Sequence, residues 1–286
     1  MKYGLPYKGS KSAIAEWVVS CLPASHTLVD LFAGGCAVTH AALLSGKWET
    51  VVANDINDTV AVFMEAANGG FDGYATVPTR GEFMASDDKA LNLLYSFGND
   101  STTYLWSPEL EGVKVPASKM LLAPSVHERY SYYKEFCRAF LRFLRDNGGS
   151  GKRLDELEPL PRIERLQGIE RLQRFNRIDV PGEIRALRGD YRLVDIPEGA
   201  TVYADPPYRC TNQKGYGDFD FDAFDAWLGG VDFPVYVSEY TCPPGCVEVA
   251  NRMRQGSMES TGSQLVTERI FIQERFAGSI KRATLF

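Results

Sequence analysis

Short apolar runs alternate with helical patterns at the start of the chain. Ser10 is positioned to cap a helix over residues 11–21, which carries apolar residues on one face. The apolar run 28–32 then predicts a strand, residues 37–44 predict a helix, and residues 50–53 predict a second strand. Strand, glycine turn, helix and strand in this order are typical of a βαβ unit.

A similar alternation returns near the end of the chain, where residues 221–228 predict a helix. The strands predicted in this second block cover residues 191–196, 201–204, 234–238 and 269–273. Block 1–60 has too few strands for a stable sheet of its own. We therefore expect both ends of the chain to contribute to one sheet.

The middle of the chain has a different pattern. Periodicity is weak over residues 69–124, with a helix predicted only near 87–96, whereas residues 126–145 predict a long amphipathic helix. Residues 163–178 carry apolar side chains at every third position. That spacing fits neither an amphipathic helix nor an alternating strand, because an α-helix turns about 100° per residue.

The tetrapeptide Asp205-Pro206-Pro207-Tyr208, directly after a predicted strand, carries the strongest chemical signal. The Asp205 carboxylate and the Pro206 carbonyl can only accept hydrogen bonds, and the two prolines stiffen the backbone. Two rigid acceptors suit a planar amino group that donates two hydrogens, and Tyr208 offers a face on which a base can stack. The alternative is a proline-rich turn with a helix-capping aspartate.

Two weaker motifs follow the first two predicted strands. The segment Asp30-Leu31-Phe32-Ala33-Gly34-Gly35 has glycines that let a backbone approach a ligand closely, but not the G-x-G-x-x-G spacing of dinucleotide-binding loops. Asp55 follows the second strand, where an acid can accept both ribose hydroxyls of an adenosine-containing ligand. Taken alone, Asp55 fits the cap of a helix near Thr59 better.

In this order, the motifs resemble those of the Dam-type adenine-amino DNA methyltransferases, including enzymes of phages and restriction–modification systems. Three further segments support the resemblance: Tyr7-Lys8-Gly9-Ser10-Lys11, Gly189-Asp190-Tyr191 and the strand region 234–240. Two positions depart from the pattern. Tyr7 stands where the best-known members have tryptophan, and Cys36 stands where glycine is frequent.

The resemblance implies S-adenosylmethionine as the cofactor, with no metal. It assigns Asp205, Pro206, Pro207 and Tyr208 to the catalytic motif. It assigns to the cofactor site an aromatic residue and a lysine, the methionine-cradling loop, the ribose acid, a residue beside the adenine and the catalytic aspartate. These correspond to Tyr7, Lys11, Asp30, Phe32, Gly34, Asp55, Asp190 and Asp205.

The implied fold class is α/β, a methyltransferase-type, Rossmann-like mixed sheet flanked by helices. Residues 1–60 and 185–286 would form this domain, with a target-recognition region inserted at 61–184. The implied reaction begins when the adenine swings out of the duplex. Asp205 and the Pro206 carbonyl would then accept its amino hydrogens, and the nitrogen would attack the sulfonium methyl in line.

Charge changes the picture of the partner. The chain has a net charge of −6, but residues 127–192 hold 15 Lys and Arg against 11 Asp and Glu, and the remainder holds 16 against 26. A local basic face can hold phosphates even on an acidic protein. We expect Arg138, Arg142 and Arg145 to contact double-stranded DNA, although a solvated helical face would have the same composition.

Three other interpretations stay open. The same acceptors would suit RNA or the amino group of cytosine, a nicotinamide-dependent dehydrogenase would share the α/β blocks, and a non-catalytic DNA-binding module would explain the basic middle. The scattered cysteines show no metal-ligand spacing and predict reduced thiols. Since there is neither an apolar run of about 18 residues nor a signal peptide, we expect a cytoplasmic protein that does not cross a membrane. We also expect a monomer or weak dimer.

Overall fold

A computed structural model describes residues 3–7, 9–68, 76–146, 180–209, 219–255 and 265–278. The chain divides into two compact units. The first comprises Met1–Gly4, Ser10–Ala61 and Val180–Phe286, and the second comprises Leu5–Gly9 and Val62–Asp179. The period-three segment 163–178 lies outside the described residues.

The described part of the first unit forms a seven-stranded sheet in the order β3-β2-β1-β4-β5-β7-β6. The strands are β1 (Thr27–Asp30), β2 (Thr50–Asp55), β3 (Glu183–Arg188), β4 (Thr201–Ala204), β5 (Val235–Glu239), β6 (Cys246–Gln255) and β7 (Leu265–Gln273). Strands β1 to β5 pair in parallel, whereas β7 runs antiparallel to both β5 and β6. This mixed sheet, with both ends of the chain in it, confirms the predicted fold class.

Helices of the first unit cover both faces of the sheet. They are α1 (Ala15–Cys21), α2 (Ala37–Ser45), α8 (Phe221–Gly230) and α9 (Glu274–Ala277), with α3 (Thr59–Ala67) spanning the boundary between the units. Neighbouring residues of β1 point to opposite faces, so Leu28 packs with the α1 and α2 residues and Val29 with Phe224 and Leu228 of α8. The central strands are accordingly buried throughout, as expected of parallel strands covered on both sides.

Two predicted elements of the first unit are wrong. Residues 191–196 do not form a strand, because Asp190 caps a 3₁₀ helix over Tyr191–Leu193, and the third strand lies earlier, at Glu183–Arg188. The first helix begins at Ala15 rather than at Lys11, and Ser10 accepts a hydrogen bond from the Ser12 amide instead of capping it.

The second unit is helical in its described part. Its α-helices are α4 (Arg80–Ala85), α5 (Lys89–Leu94), α6 (Pro108–Leu122) and α7 (Val126–Asp146), and Phe97–Asn99 forms a 3₁₀ turn. The amphipathic pattern of α7 buries Phe136 against Ala117 of α6, with Val113 and Phe140 around them. No helix among the described residues is long and apolar enough to cross a membrane.

Candidate active site

The first unit places two acidic residues at the carboxyl ends of adjacent strands. Asp30 ends β1 and pairs with Tyr203 of β4, and Asp205 follows β4 directly. The strand order reverses between β1 and β4: the chain continues from β1 to β2 on one side of this point and from β4 to β5 on the other. Open α/β sheets bind ligands in the crevice at such a switch point.

Lys11 reaches the predicted catalytic tetrapeptide. Its ammonium Nζ lies 2.9 Å from Oδ1 of Asp205 and 4.4 Å from the centroid of the Tyr208 ring. The two paired side chains are 10% and 16% exposed, so the ion pair is largely shielded from solvent. Within the tetrapeptide, Pro206 is buried and Pro207 is half-buried. The structure therefore brings Lys11, Asp205 and Tyr208 together.

The charge state of Asp205 depends on opposing effects. Burial raises the pKa of Asp205, the ammonium of Lys11 and a hydrogen bond with the Tyr208 side chain oppose that rise, and the negative charge of Glu268 adds to it. Removing a carboxylate from water disfavours its ionised form, whereas a cation at hydrogen-bonding distance favours it. Lys11 is thus the cation that favours the ionised, acceptor form of this buried carboxylate.

A buried acid on β7 fixes the two tyrosine rings of the site. Glu268 is 1% exposed and accepts hydrogen bonds from the Tyr208 hydroxyl at 3.1 Å and the Tyr240 hydroxyl at 3.4 Å. Arg254 donates to the same carboxylate at 2.7 Å, and the two rings meet edge to face at 4.5 Å. Sequence reasoning missed Glu268 and Arg254, because nothing in the pattern of β7 distinguishes an inward acid from an outward one.

A second acid ties the tetrapeptide to the neighbouring strand. Glu239, the last residue of β5, is 2% exposed and accepts from the backbone amides of Arg209 at 3.1 Å and Tyr240 at 2.7 Å. Burial raises the pKa of Glu239, and these amides oppose the rise. The chain after Tyr208 is therefore fixed to the carboxyl end of β5.

Asp30 has one satisfied and one unsatisfied oxygen. Its Oδ2 accepts a 2.7 Å hydrogen bond from the Thr39 hydroxyl, while its buried Oδ1 has no hydrogen-bond partner among the described residues. Burial raises the pKa of Asp30 to about 7, and the Thr39 hydrogen bond opposes the rise. A buried acceptor without a donor is costly, and an incoming cationic group would relieve that cost.

Asp55 braces the predicted cofactor loop. Its Oδ2 accepts from the Gly34 amide at 2.8 Å, and its Oδ1 accepts from the amide of Asn57 at 2.9 Å and the side chain of Asn57 at 3.1 Å. Gly34 has φ +49°, a left-handed conformation that favours glycine. Asn54 adds a second brace that sequence reasoning missed, donating to the carbonyls of Leu31 and Gly189.

The remaining cofactor residues are spread over several environments. Phe32 is half-buried in an aromatic cluster, with its ring 5.0 Å from Tyr191. Asp190 pairs with Arg192 and caps the following 3₁₀ helix. Tyr7 is half-buried and belongs to the second unit. Their roles toward the cofactor stay predictions.

The three predicted DNA-contacting arginines lie on α7. Arg138, Arg142 and Arg145 are spaced at helical intervals of four and three, so they share one side of the helix, and all three are exposed. Arg145 pairs with the exposed Asp146 at 3.0 Å. A row of exposed guanidinium groups can approach phosphates, and the salt dependence of DNA binding would test that role.

The residues of the first unit fit S-adenosylmethionine. Its amino acid part carries a cationic amino group, which the unpartnered Oδ1 of Asp30 could accept. When bound, this cofactor supplies an electrophilic methyl group on a sulfonium. Within the described ranges, no group of three or more His, Cys, Asp or Glu side chains is arranged to hold a metal ion.

Comparison with known proteins agrees with the sequence resemblance. Residues 7–90 match the family model described as D12 class N6 adenine-specific DNA methyltransferase. The predicted enzyme class, an S-adenosylmethionine-dependent adenine methyltransferase, is confirmed. The matched range includes the loop after β1 and the acid that ends β2, and it stops before Asp205. No curated protein sequence matches the chain.

Two solved structures that are similar to this chain share little sequence with it. A protein from Pyrococcus horikoshii, provisionally assigned as an RNA methyltransferase, has 10% identity and a TM-score of 0.34 over 93% of this chain and 83% of its own. A provisionally assigned methylase from Haemophilus influenzae has 10% identity and a TM-score of 0.31 over 94% of this chain and 91% of its own.

Proposed function

We propose that the chain transfers the methyl group of S-adenosylmethionine to the exocyclic amino nitrogen of an adenine turned out of double-stranded DNA. The observation that carries this proposal is the Lys11 ammonium bound to Asp205 over the Tyr208 ring. It indicates that an N–H donor fits between this carboxylate and this aromatic face. The family match over residues 7–90 supports adenine as the source of that donor.

In the proposed reaction, Asp205 and the Pro206 carbonyl accept hydrogen bonds from the two amino hydrogens of the adenine. This draws the nitrogen from planar toward tetrahedral and directs its lone pair at the methyl group. The N–C bond forms as the S–C bond breaks, and the sulfur keeps the electron pair. Asp205 stabilises the cationic nitrogen and accepts the proton that it must lose, a role that its burial favours.

The two parts of the chain would divide the work. We propose that residues 1–60 and 185–286 bind the cofactor and hold the base, through Asp30, Phe32, Gly34, Asp55 and Asp190. The region 61–184 would read the target, with the exposed arginines of α7 on phosphates. Such an enzyme would act on cytoplasmic DNA, as a monomer or weak dimer, in a setting of the restriction–modification kind.

A methyl-transfer assay tests the proposal directly. The chain is incubated with tritiated S-adenosylmethionine and, separately, plasmid DNA, poly(rA) and a protein mixture, and the methylated nucleosides are identified by mass. We expect label in plasmid DNA, as 6-methyladenine. Label in poly(rA), or 4-methylcytosine as the product, would establish the RNA or cytosine alternative instead. Absence of transfer from a folded, cofactor-binding chain would support the non-catalytic module.

A further inference from the structure

The side chain of Lys11 ends on the two groups that the proposed function gives to the target base. An ammonium, like the amino group of adenine, donates N–H bonds, and a cation is attracted to the face of an aromatic ring. The Lys11 ammonium pairs with the Asp205 carboxylate and lies over the Tyr208 ring at the same time. A base cannot make both contacts while the ammonium makes them.

We propose that Lys11 is a positioning residue for Asp205: in the free enzyme its ammonium holds the carboxylate ionised and aligned, and the target amino group takes its place when the base enters. The inference rests on the proposed function. It differs from the role that the family resemblance implies, in which this lysine contacts the cofactor.

The backbone of Lys11 is well placed for this task. The Lys11 carbonyl accepts a hydrogen bond from the amide of Ile14 at 2.8 Å, and Ile14 is buried beside α1. The next residue, Ser12, accepts from the Tyr3 amide at 3.0 Å through its hydroxyl. The lysine therefore extends from a fixed turn, while its own side chain has several rotatable bonds along which the ammonium can withdraw.

Apart from Lys11 and a hydrogen bond with the Tyr208 side chain, the charged groups around Asp205 oppose its ionisation. Asp30 at the end of β1 and Glu268 on β7 are both acids, and Arg254 is already paired with Glu268. The remaining titratable neighbours are the hydroxyls of Tyr203, Tyr208 and Tyr240. Without Lys11, this buried carboxylate would bind a proton more readily, and a protonated carboxyl carries an O–H donor and accepts a hydrogen bond from the amino group of the base less strongly.

The test compares kcat/KM for DNA from pH 5.5 to pH 9 in wild type, Lys11→Met and Lys11→Arg, with saturating cofactor, because kcat/KM reports the ionisation of the DNA-free enzyme. Lys89→Met, at an exposed position on α5, is the matched control. We expect Lys11→Met to move the acid side of the profile to higher pH, with a kcat/KM at pH 6 about tenfold or more below wild type. Lys11→Arg should restore the wild-type profile, and calorimetry should give Lys11→Met a cofactor affinity within about twofold of wild type.

A stability cycle gives a readout that does not need catalysis. The free energy of unfolding is measured for wild type, Lys11→Met, Asp205→Asn and the double variant at pH 8 and at pH 4. We expect the two single losses to be non-additive at pH 8 and closer to additive at pH 4, where the carboxylate is more protonated.

The outcomes separate the inference from the proposed function. A cycle that is additive at both pH values would overturn the role of Lys11, whatever the activity. A Lys11→Met enzyme that loses cofactor affinity tenfold and keeps the wild-type pH profile would overturn it too, in favour of a cofactor contact. A wild-type chain that methylates no nucleic acid but shows the pH-dependent coupling would contradict the proposed function alone.

Discussion

The backbone amide of Gly34 donates a 2.8 Å hydrogen bond to Oδ2 of Asp55. This bond joins the loop after β1 to the end of β2, so the acid predicted to hold a ribose also shapes the loop predicted to cradle methionine. Each carboxylate oxygen has two acceptor sites, and Oδ1 already accepts two donors, so Oδ2 of Asp55 keeps one site for a ribose hydroxyl beside the Gly34 amide. Asp55 can therefore both brace the loop and contact the ribose. The two roles predict different effects of replacing Asp55 on cofactor binding.

Asp55→Ala should weaken S-adenosylmethionine binding by about 1.5–3 kcal/mol, the scale of charge-assisted hydrogen bonds. Calorimetry with the cofactor and with its 2′,3′-dideoxyribose analogue tests whether the lost affinity comes from contacts to the ribose hydroxyls. If Asp55 holds the hydroxyls, wild type should discriminate against the analogue and Asp55→Ala should not. Equal discrimination by both proteins would leave Asp55 as a loop brace only. Asn57→Ala, which removes the side-chain donor to Asp55 but keeps the backbone donor and the carboxylate, is the control.

Asp205→Asn should slow methyl transfer by on the order of a thousandfold or more, because an amide replaces the charged acceptor where the nitrogen becomes cationic. The change is nearly isosteric, so the variant should fold and bind cofactor and DNA as before or better. Single-turnover rates at saturating cofactor and DNA separate chemistry from binding. A variant that keeps more than about a tenth of the wild-type rate would make the tetrapeptide merely structural.

Asp30 should make the stability of the chain depend on pH. Its pKa is about 7 in the fold against 3.8 for an ordinary aspartate, so the folded form holds an extra proton between these values. The contribution of Asp30 to stability is therefore lost as pH rises from about 4 to about 7. Asp30→Asn cannot ionise, so its melting temperature relative to wild type should be higher at pH 8 than at pH 5.

Differential scanning calorimetry in matched buffers measures that difference, with Asp195→Asn, an exposed acid, as the control. Cofactor should raise the melting temperature of wild type more than that of Asp30→Asn, since a cation would pair with the ionised carboxylate. A melting-temperature difference that does not change with pH would show that burial does not perturb Asp30.

Replacing Arg138, Arg142 and Arg145 together by Gln should flatten the salt dependence of DNA affinity. Each phosphate contact contributes about 0.9 to the slope of log affinity against log salt, so the slope should fall by about two to three. Fluorescence anisotropy at several salt concentrations gives the slope, and cofactor affinity should not change.

The matched control replaces three exposed basic residues outside α7: Lys89, Arg185 and Arg252. If both triple variants change the slope equally, α7 is an ordinary solvated face and the phosphates bind elsewhere.

Elements whose side chains meet the core were predictable from the sequence. Strands β1, β2, β4 and β5 are continuous buried runs, and α7 has an amphipathic pattern, so periodicity located them. Strand β3 was missed because it is an edge strand with mostly exposed residues. The apolar residues just after it serve a different purpose, since Tyr191 packs into the aromatic cluster from a 3₁₀ helix rather than from a strand.

In the candidate site, too, some residues could be predicted from a local sequence pattern and others could not. Asp205 and Tyr208 were predictable because two prolines after a strand are a local signal. The Lys11–Asp205 pair and the Glu268 carboxylate under Tyr208 were not, since each joins segments distant in sequence. Strand β6 escaped prediction for a local reason: a bulge between Glu248 and Ala250 breaks the alternation that marks a strand.

The pairing of β1 with β4 also determines when the protein can fold. Asp30 aligns with Tyr203, so the central ladder of the sheet closes only after the ribosome has made the residues between them. At about 5–20 residues per second, that wait lasts roughly ten to thirty seconds. Throughout it, β1 exposes one unpaired edge of a strand that is apolar on both faces. The nascent chain is thus most open to aggregation while its helical middle is being translated, and chaperone binding would matter most in that interval.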